Sequence, residues 1–128
     1  MPTPADFLYS KEHEWANFDA DVVTIGITDY AQSSLGDIVY VELPKIGSTL
    51  DQFANAGVVE SVKAVSDLFT PVGGEVVEVN AAIETDPGLV NREPYANGWL
   101  FKIKTSDGMS QKASLLTAQA YDRLVQEP

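Results

Sequence analysis

Between Gly57 and Asp67 the chain reads Gly-Val-Val-Glu-Ser-Val-Lys-Ala-Val-Ser-Asp, with apolar and polar residues alternating up to a lysine and continuing beyond it. That period of two predicts a tight β-hairpin with Lys63 at its tip. The charge around the hairpin narrows the reading. From Ile46 to Asn91 seven acidic side chains (Asp51, Glu60, Asp67, Glu75, Glu78, Glu84 and Asp86) accompany a single cation, Lys63. A solvated strand edge ordinarily mixes signs and often carries several lysines. A lone lysine at a turn, between small or apolar neighbours, reads as a lysine set out for modification. An ordinary exposed hairpin lysine is the competing reading.

Around this hairpin, 128 residues with 45% apolar content predict one packed domain, 1–128, rather than a disordered chain. A net charge of -11 disfavours nucleic acid and anionic membrane surfaces, both of which recruit basic patches. There is no cysteine for a disulfide or thiolate ligation, and one histidine, His13, cannot build a zinc site alone. No metal is expected. Neither a membrane-spanning run nor a signal-peptide pattern is present, so a cytoplasmic, bacterial-type protein is the expectation; a processed organellar form would look the same.

In chain order, Met1 to Phe7 reads as a loose lead-in and Leu8 to Ala16 as one short strand. Asn17 to Asp21 reads as a turn and Val22–Ile27 as a β-branched strand. Thr28 can cap a helix from Asp29 to Leu35 that Gly36 ends. Strands follow at Asp37–Leu43, through the lysine hairpin, at Glu75–Val79 and at Trp99–Lys104. Ala81 to Asn97 carries turn chemistry. The tail from Ser114 to Val125 is built of helix formers, with Leu116, Ala120, Leu124 or Tyr121, Val125 as possible packed stripes. Gly36-Asp37-Ile38-Val39-Tyr40-Val41 is echoed 38 positions later by Gly74-Glu75-Val76-Val77-Glu78-Val79. Two such halves predict two small packed antiparallel sheets related by a rough two-fold, with the hairpin protruding at one end; chance similarity of two short strands is the alternative.

Catalytic apparatus is not evident. The single histidine has no partner nucleophile, and no nucleophile elbow, phosphate-cradling loop or dinucleotide fingerprint occurs. His13, beside Trp15, is expected to be structural. A non-acylated acidic binding module fits the charge but leaves the isolated lysine unexplained. A carrier explains it: a swinging arm needs an amine that protrudes, can be told from other amines, and sustains no ion pair that acylation would break.

The hairpin Val59–Asp67 resembles the lipoyl-attachment segment of the glycine cleavage system H protein family. So do His13-Glu14-Trp15, Val23–Gln32, Leu35–Pro44, Gly74–Asn80, Leu89-Val90-Asn91, Pro94-Tyr95 and Gly98-Trp99, in order across most of the chain. The resemblance implies a mainly β, lipoyl-domain-like barrel-sandwich hybrid with short helices, including a C-terminal one. It implies a lipoyl core at 22–104, an N-terminal extension at 1–21 and a helical tail at 105–128. By the same resemblance, lipoate is attached to Lys63, and the chain is a monomeric, non-enzymatic carrier. Its partners would be a pyridoxal-phosphate glycine decarboxylase, a tetrahydrofolate-dependent aminomethyltransferase, dihydrolipoamide dehydrogenase and a lipoate-attaching enzyme. Supplying lipoyl groups to another complex is an alternative role. A biotin carrier is less similar, because Val62 and Ala64 stand where biotin sites usually carry methionine. Glu60 and Asp67 are assigned to recognition by the attaching enzyme, with Gly57 and Gly74 giving the backbone freedom at the ends. Glu14 and Asp67, with Glu12 as a third, are assigned to hold the amine of the carried aminomethyl group; a solvated edge strand carrying Glu12 and Glu14 outward is the alternative. The loop Asp51–Ala56 departs from the family, lacking the lysine and glutamate many members carry there, as do Gly73 in the turn and Glu12.

Overall fold

The computed structural model describes residues 2–126; Met1 of the lead-in and the last two residues of the predicted tail lie outside the described residues. Among the described residues nine strands form two antiparallel sheets. Strands β1 (Leu8–Tyr9), β2 (Glu14–Asp19), β3 (Val22–Ile27), β5 (Thr49–Leu50), β8 (Gly74–Val79) and β9 (Phe101–Lys104) make the larger, in the order β1-β2-β3-β9-β8-β5. Strands β4 (Ile38–Glu42), β6 (Asn55–Ser61) and β7 (Val65–Phe69) make the smaller, in the order β4-β6-β7. The inward residues of both, among them Ile25, Ile38, Val59, Leu68, Val76, Phe101 and Ile103, are buried in one core. This is the predicted mainly β sandwich of two antiparallel sheets.

The echoed segments occupy β4 and β8, and their likeness extends to the backbone. Each copy opens on a glycine at positive φ, Gly36 at 83° and Gly74 at 148°. Each strand then slips register at the same place, between Ile38 and Tyr40 against β6 and between Val76 and Glu78 against β9. The bulge buries Ile38 and Val76 and turns two successive residues outward in both copies.

The described residues also form five helices: α1 (Asp29–Leu35), α2 (Ala81–Thr85), α3 (Leu89–Arg92), α4 (Gly108–Lys112) and α5 (Ala118–Gln126). Thr28 caps α1 through its hydroxyl, which accepts from the Ala31 amide at 3.2 Å, and Gly36 ends the helix, as the sequence predicts.

Other local expectations need correction. Leu8 to Ala16 is not one strand but the two arms of a hairpin. Ser10 Oγ accepts from the Glu14 amide at 3.2 Å and His13 turns at φ 71°, so the chain reverses over Lys11 and Glu12. The turn expected at Asn17–Asp21 shrinks to Ala20-Asp21, because β2 stays paired with β3 as far as Asp19 opposite Val22. The segment Ala81–Asn97, read as turns, holds α2 and α3; Asn80 caps the first through the Ala82 amide at 3.3 Å. The tail helix begins at Ala118, not Ser114. Leu116 instead exchanges both backbone hydrogen bonds with Tyr9, at 2.8 and 2.7 Å, which holds it extended.

Of the two possible stripes on α5, Tyr121 and Val125 pack, and Leu124 stays exposed. Tyr9 stacks on Tyr121 with ring centroids 4.9 Å apart. The Tyr121 hydroxyl meets His13 Nδ1 at 2.8 Å and Thr28 Oγ1 at 2.7 Å. His13 thereby links the β1–β2 turn, the start of α1 and α5, and burial pushes its pKa below the usual histidine range.

Within the smaller sheet, Gly57 lets β6 run tight against the end of β4. A Cβ there would sit 1.9 Å from the Glu42 carbonyl oxygen, an acceptor that cannot rotate away. Gly57→Ala is therefore expected to force β4 from β6 and to cost about 1–3 kcal/mol, seen as a lower thermal midpoint. Gly108→Ala, whose nearest contact would be an ordinary 3.5 Å, should melt like the parent chain. Equal midpoints for the two variants would refute the close-approach account.

Candidate functional site: a braced lysine hairpin beside a cleft

The β6–β7 hairpin closes over Ser61-Val62-Lys63-Ala64. Ser61 N donates to the Ala64 carbonyl at 2.8 Å, and Ser61 Oγ accepts from the Lys63 and Ala64 amides at 3.3 and 3.1 Å. A serine opening a turn can fold its hydroxyl back on the following amides in this way. The tip is also held from outside. Val62 N donates to the Asp37 carbonyl at 3.0 Å. The stretch Gly36–Ile38 is in turn held by Asn91 of α3, whose Oδ1 accepts from Ile38 N at 2.9 Å. Its Nδ2 donates to the Gly36 carbonyl and to Gln32 Oε1, both at 2.9 Å.

Lys63 itself is exposed, and among the described residues it makes no ion pair. Its Cε lies 3.6 Å from where a Cβ on Gly36 would stand, so its stem runs close to that glycine. Val62 and Val65 on either side are 70% and 69% exposed. The amine is thus the polar end of a short apolar knob, fixed in backbone and free of ion pairing at its head.

The predicted acidic residues take different positions. Register pairs Glu60 with Val65 and Asp67 with Val58, which puts Glu60 and Asp67 on the same outward face as diagonal neighbours across β6 and β7. Glu14 is only 2% exposed, which rules out an outward edge-strand position for it. Its Oε1 accepts from the Ser10 hydroxyl at 2.5 Å and its Oε2 from the Phe69 amide at 3.4 Å, so this one carboxyl joins β2 to β7. Burial raises its pKa to about 8, against the opposing pull of those two hydrogen bonds.

Beside Glu14 lies a cleft of about 350 Å³, walled by Ser10, Glu12, Phe53, Phe69, Ser114 and Leu116, with Lys11 also on its lining. Glu12 therefore faces the cleft. Glu14 is not on the lining but bonds to two residues that are, Ser10 and Phe69, and Asp67 stands two residues before Phe69 on β7. Ser10, Ser61, Asn91 and the aromatic pair Phe53 and Phe69 escaped the sequence reading as site residues. Only the serine at the turn carried a local signal.

Among the described residues no helix is long and apolar enough to cross a membrane, and there is no cluster of three or more potential metal ligands. A sequence profile of the family described as "Glycine cleavage H-protein" matches residues 7–128. The glycine cleavage system H protein of Escherichia coli O7:K1 is 54% identical over 125 residues, covering 97% of this chain and 96% of that protein. The protein of the same name from Thermus thermophilus is 49% identical over 126 residues, 98% of each chain. Among solved structures, a glycine cleavage system H protein from Mycobacterium marinum matches with a TM-score of 0.87 at 37% identity, covering 97% of this chain and 99% of that one. With sequence and fold in agreement over nearly its whole length, the chain belongs to the glycine cleavage H-protein family.

Proposed function

We propose that Lys63 carries a lipoyl group in amide linkage and that the chain is the non-enzymatic carrier of the glycine cleavage system. The observation that carries this reading is the exposed lysine without an ion pair, on a tip held by Ser61 from within and through Asp37 and Asn91 from behind. Such a lysine fits the group: an attaching enzyme can reach its amine, and acylation disturbs no internal contact. Held on Lys63, the lipoyl group would supply a disulfide able to take up the aminomethyl unit of glycine at the decarboxylase; the aminomethyltransferase would take that unit onward and dihydrolipoamide dehydrogenase would reoxidise the dithiol left behind. Glu60 and Asp67, on one face beside the tip, serve as marks for the attaching enzyme. The chain acts as a monomer, and its bacterial relatives favour the cytoplasmic setting expected from the sequence.

The cleft beside Glu14 is the resting place for the charged end of the arm. Glu12 on its wall, Glu14 bonded to its lining and Asp67 at its approach supply carboxylates for an ammonium, whose loss would leave a sulfur-stabilised cation open to water. Arrival of a cation favours the ionised form of Glu14, so docking at neutral pH expels a proton from a carboxyl that burial otherwise keeps largely neutral.

Three outcomes are expected. Intact mass after expression with lipoate and a competent ligase should show a lipoyl increment that Lys63→Arg removes, with stability altered by no more than about 0.5 kcal/mol. An unmodified parent mass would favour the acidic binding module. Second, formaldehyde release from the isolated aminomethylated protein should quicken in Glu14→Ala and Asp67→Ala; rates equal to the parent's in both and in the double variant would sink the sheltering role.

The third outcome concerns pH. Glu14 holds a proton in the fold up to about pH 8 but only to about 4.5 when unfolded. Its contribution to stability is therefore fully present below the unfolded value and is lost as pH rises through that window. Glu14→Gln, which imitates the protonated acid, should flatten this fall, with thermal midpoints from pH 5 to 9 as the measurement. An unchanged slope would mean that Glu14 is ionised throughout.

A further inference from the structure

Phe53 stands out on two grounds. Its φ of 68° lies in the left-handed region, which a bulky side chain seldom adopts and glycine takes freely. Yet the residue is 45% exposed, so core burial does not account for a phenylalanine at this place. The backbone is fixed independently of the ring. Phe53 N donates to the Thr70 carbonyl at 2.7 Å, Thr70 N to the Ala54 carbonyl at 2.9 Å, and Ala54 N to the Asp51 carbonyl at 3.0 Å. The turn would form as well, with less strain, around a glycine. What the ring does do is wall the cleft together with Phe69, whose amide reaches Glu14.

Resting on the carrier reading above, we infer that Phe53 and Phe69 form an aromatic seat for the sulfur-bearing end of the arm on Lys63, so that the cleft grips the apolar end of the arm as well as its amine. The reach is suitable. From Val65 to Phe69 β7 advances four residue steps, about 13 Å at the usual strand rise. From the lysine Cα to a lipoyl sulfur is a dozen bonds, about 15 Å when extended. Sulfur packs favourably against aromatic rings, often at the ring edge.

The test compares the parent with Phe53→Gly and Phe53→Asn, both residue types tolerated at positive φ. In the unloaded proteins, thermal midpoints equal to or above the parent's are expected, since strain is relieved and no core contact is lost. In the aminomethylated proteins, the methylene protons next to sulfur should show ring-current shifts in the parent and lose them in both variants, as read by NMR. Formaldehyde release should quicken about two- to tenfold, the range corresponding to one sulfur–aromatic contact. Parent-like arm shifts in both variants overturn the seat. If Glu14→Ala still quickens release in that event, the sheltering cleft stands without it; if Glu14→Ala and Asp67→Ala also leave release unchanged, the cleft reading itself has failed. Lower midpoints with parent-like arm shifts would make Phe53 a packing residue and likewise overturn the proposal.

Discussion

The side-chain amide of Asn91 is the contact on which the lysine hairpin depends. A primary amide offers two donors and an acceptor in one plane, and here Ile38 N, the Gly36 carbonyl and Gln32 Oε1 use them together. It thereby joins the end of α1, the start of β4 and α3 at one point. The Asp37 carbonyl between those anchored residues receives the Val62 amide. A hairpin of two strands is marginal alone in water. This one is held along its length by pairing of β6 with β4, and its tip is braced through an amide on a four-residue helix, remote in sequence from the lysine that it steadies.

How far the sequence disclosed this depended on the range of the interaction. The alternating run around Lys63, the cap at Thr28 and the stop at Gly36 are local, and each formed where its residues indicated. The echo of Gly36–Val41 in Gly74–Val79 was more informative than its length suggested, since both the positive-φ glycine and the bulge recur. Interactions between distant segments were not legible. The sequence offers Glu14 as a holder of the carried amine or, alternatively, as an acid pointing outward from an edge strand, and in neither reading as a link between strands. Ser10 and the Phe69 amide turn it into a buried bridge, and no period along β2 encodes β7. Leu116 has helix-forming neighbours, yet pairing with Tyr9 kept it extended; here tertiary hydrogen bonding overrode propensity.

The acidic residues also show that like composition can conceal unlike physics. Glu60 and Asp67 sit on a solvated outward face, where water and salt screen them. Glu14 is withdrawn from water, and burial moves its titration into the neutral range. The net charge of -11 hides this division, because a formal count treats every carboxyl as ionised. Around neutral pH the charge of Glu14, which touches both sheets, is unsettled.

The solitude of Lys63 has a practical side. Acylating it removes the only cation between Ile46 and Asn91, and the formal charge moves from -11 to -12. The lost charge sits at an exposed tip between Val62 and Val65 rather than inside an ion pair, so the whole difference is presented to solvent. Acylated and bare chains thus differ where a charged matrix would touch them. Anion-exchange chromatography could resolve the two populations of a mixed preparation without denaturing either.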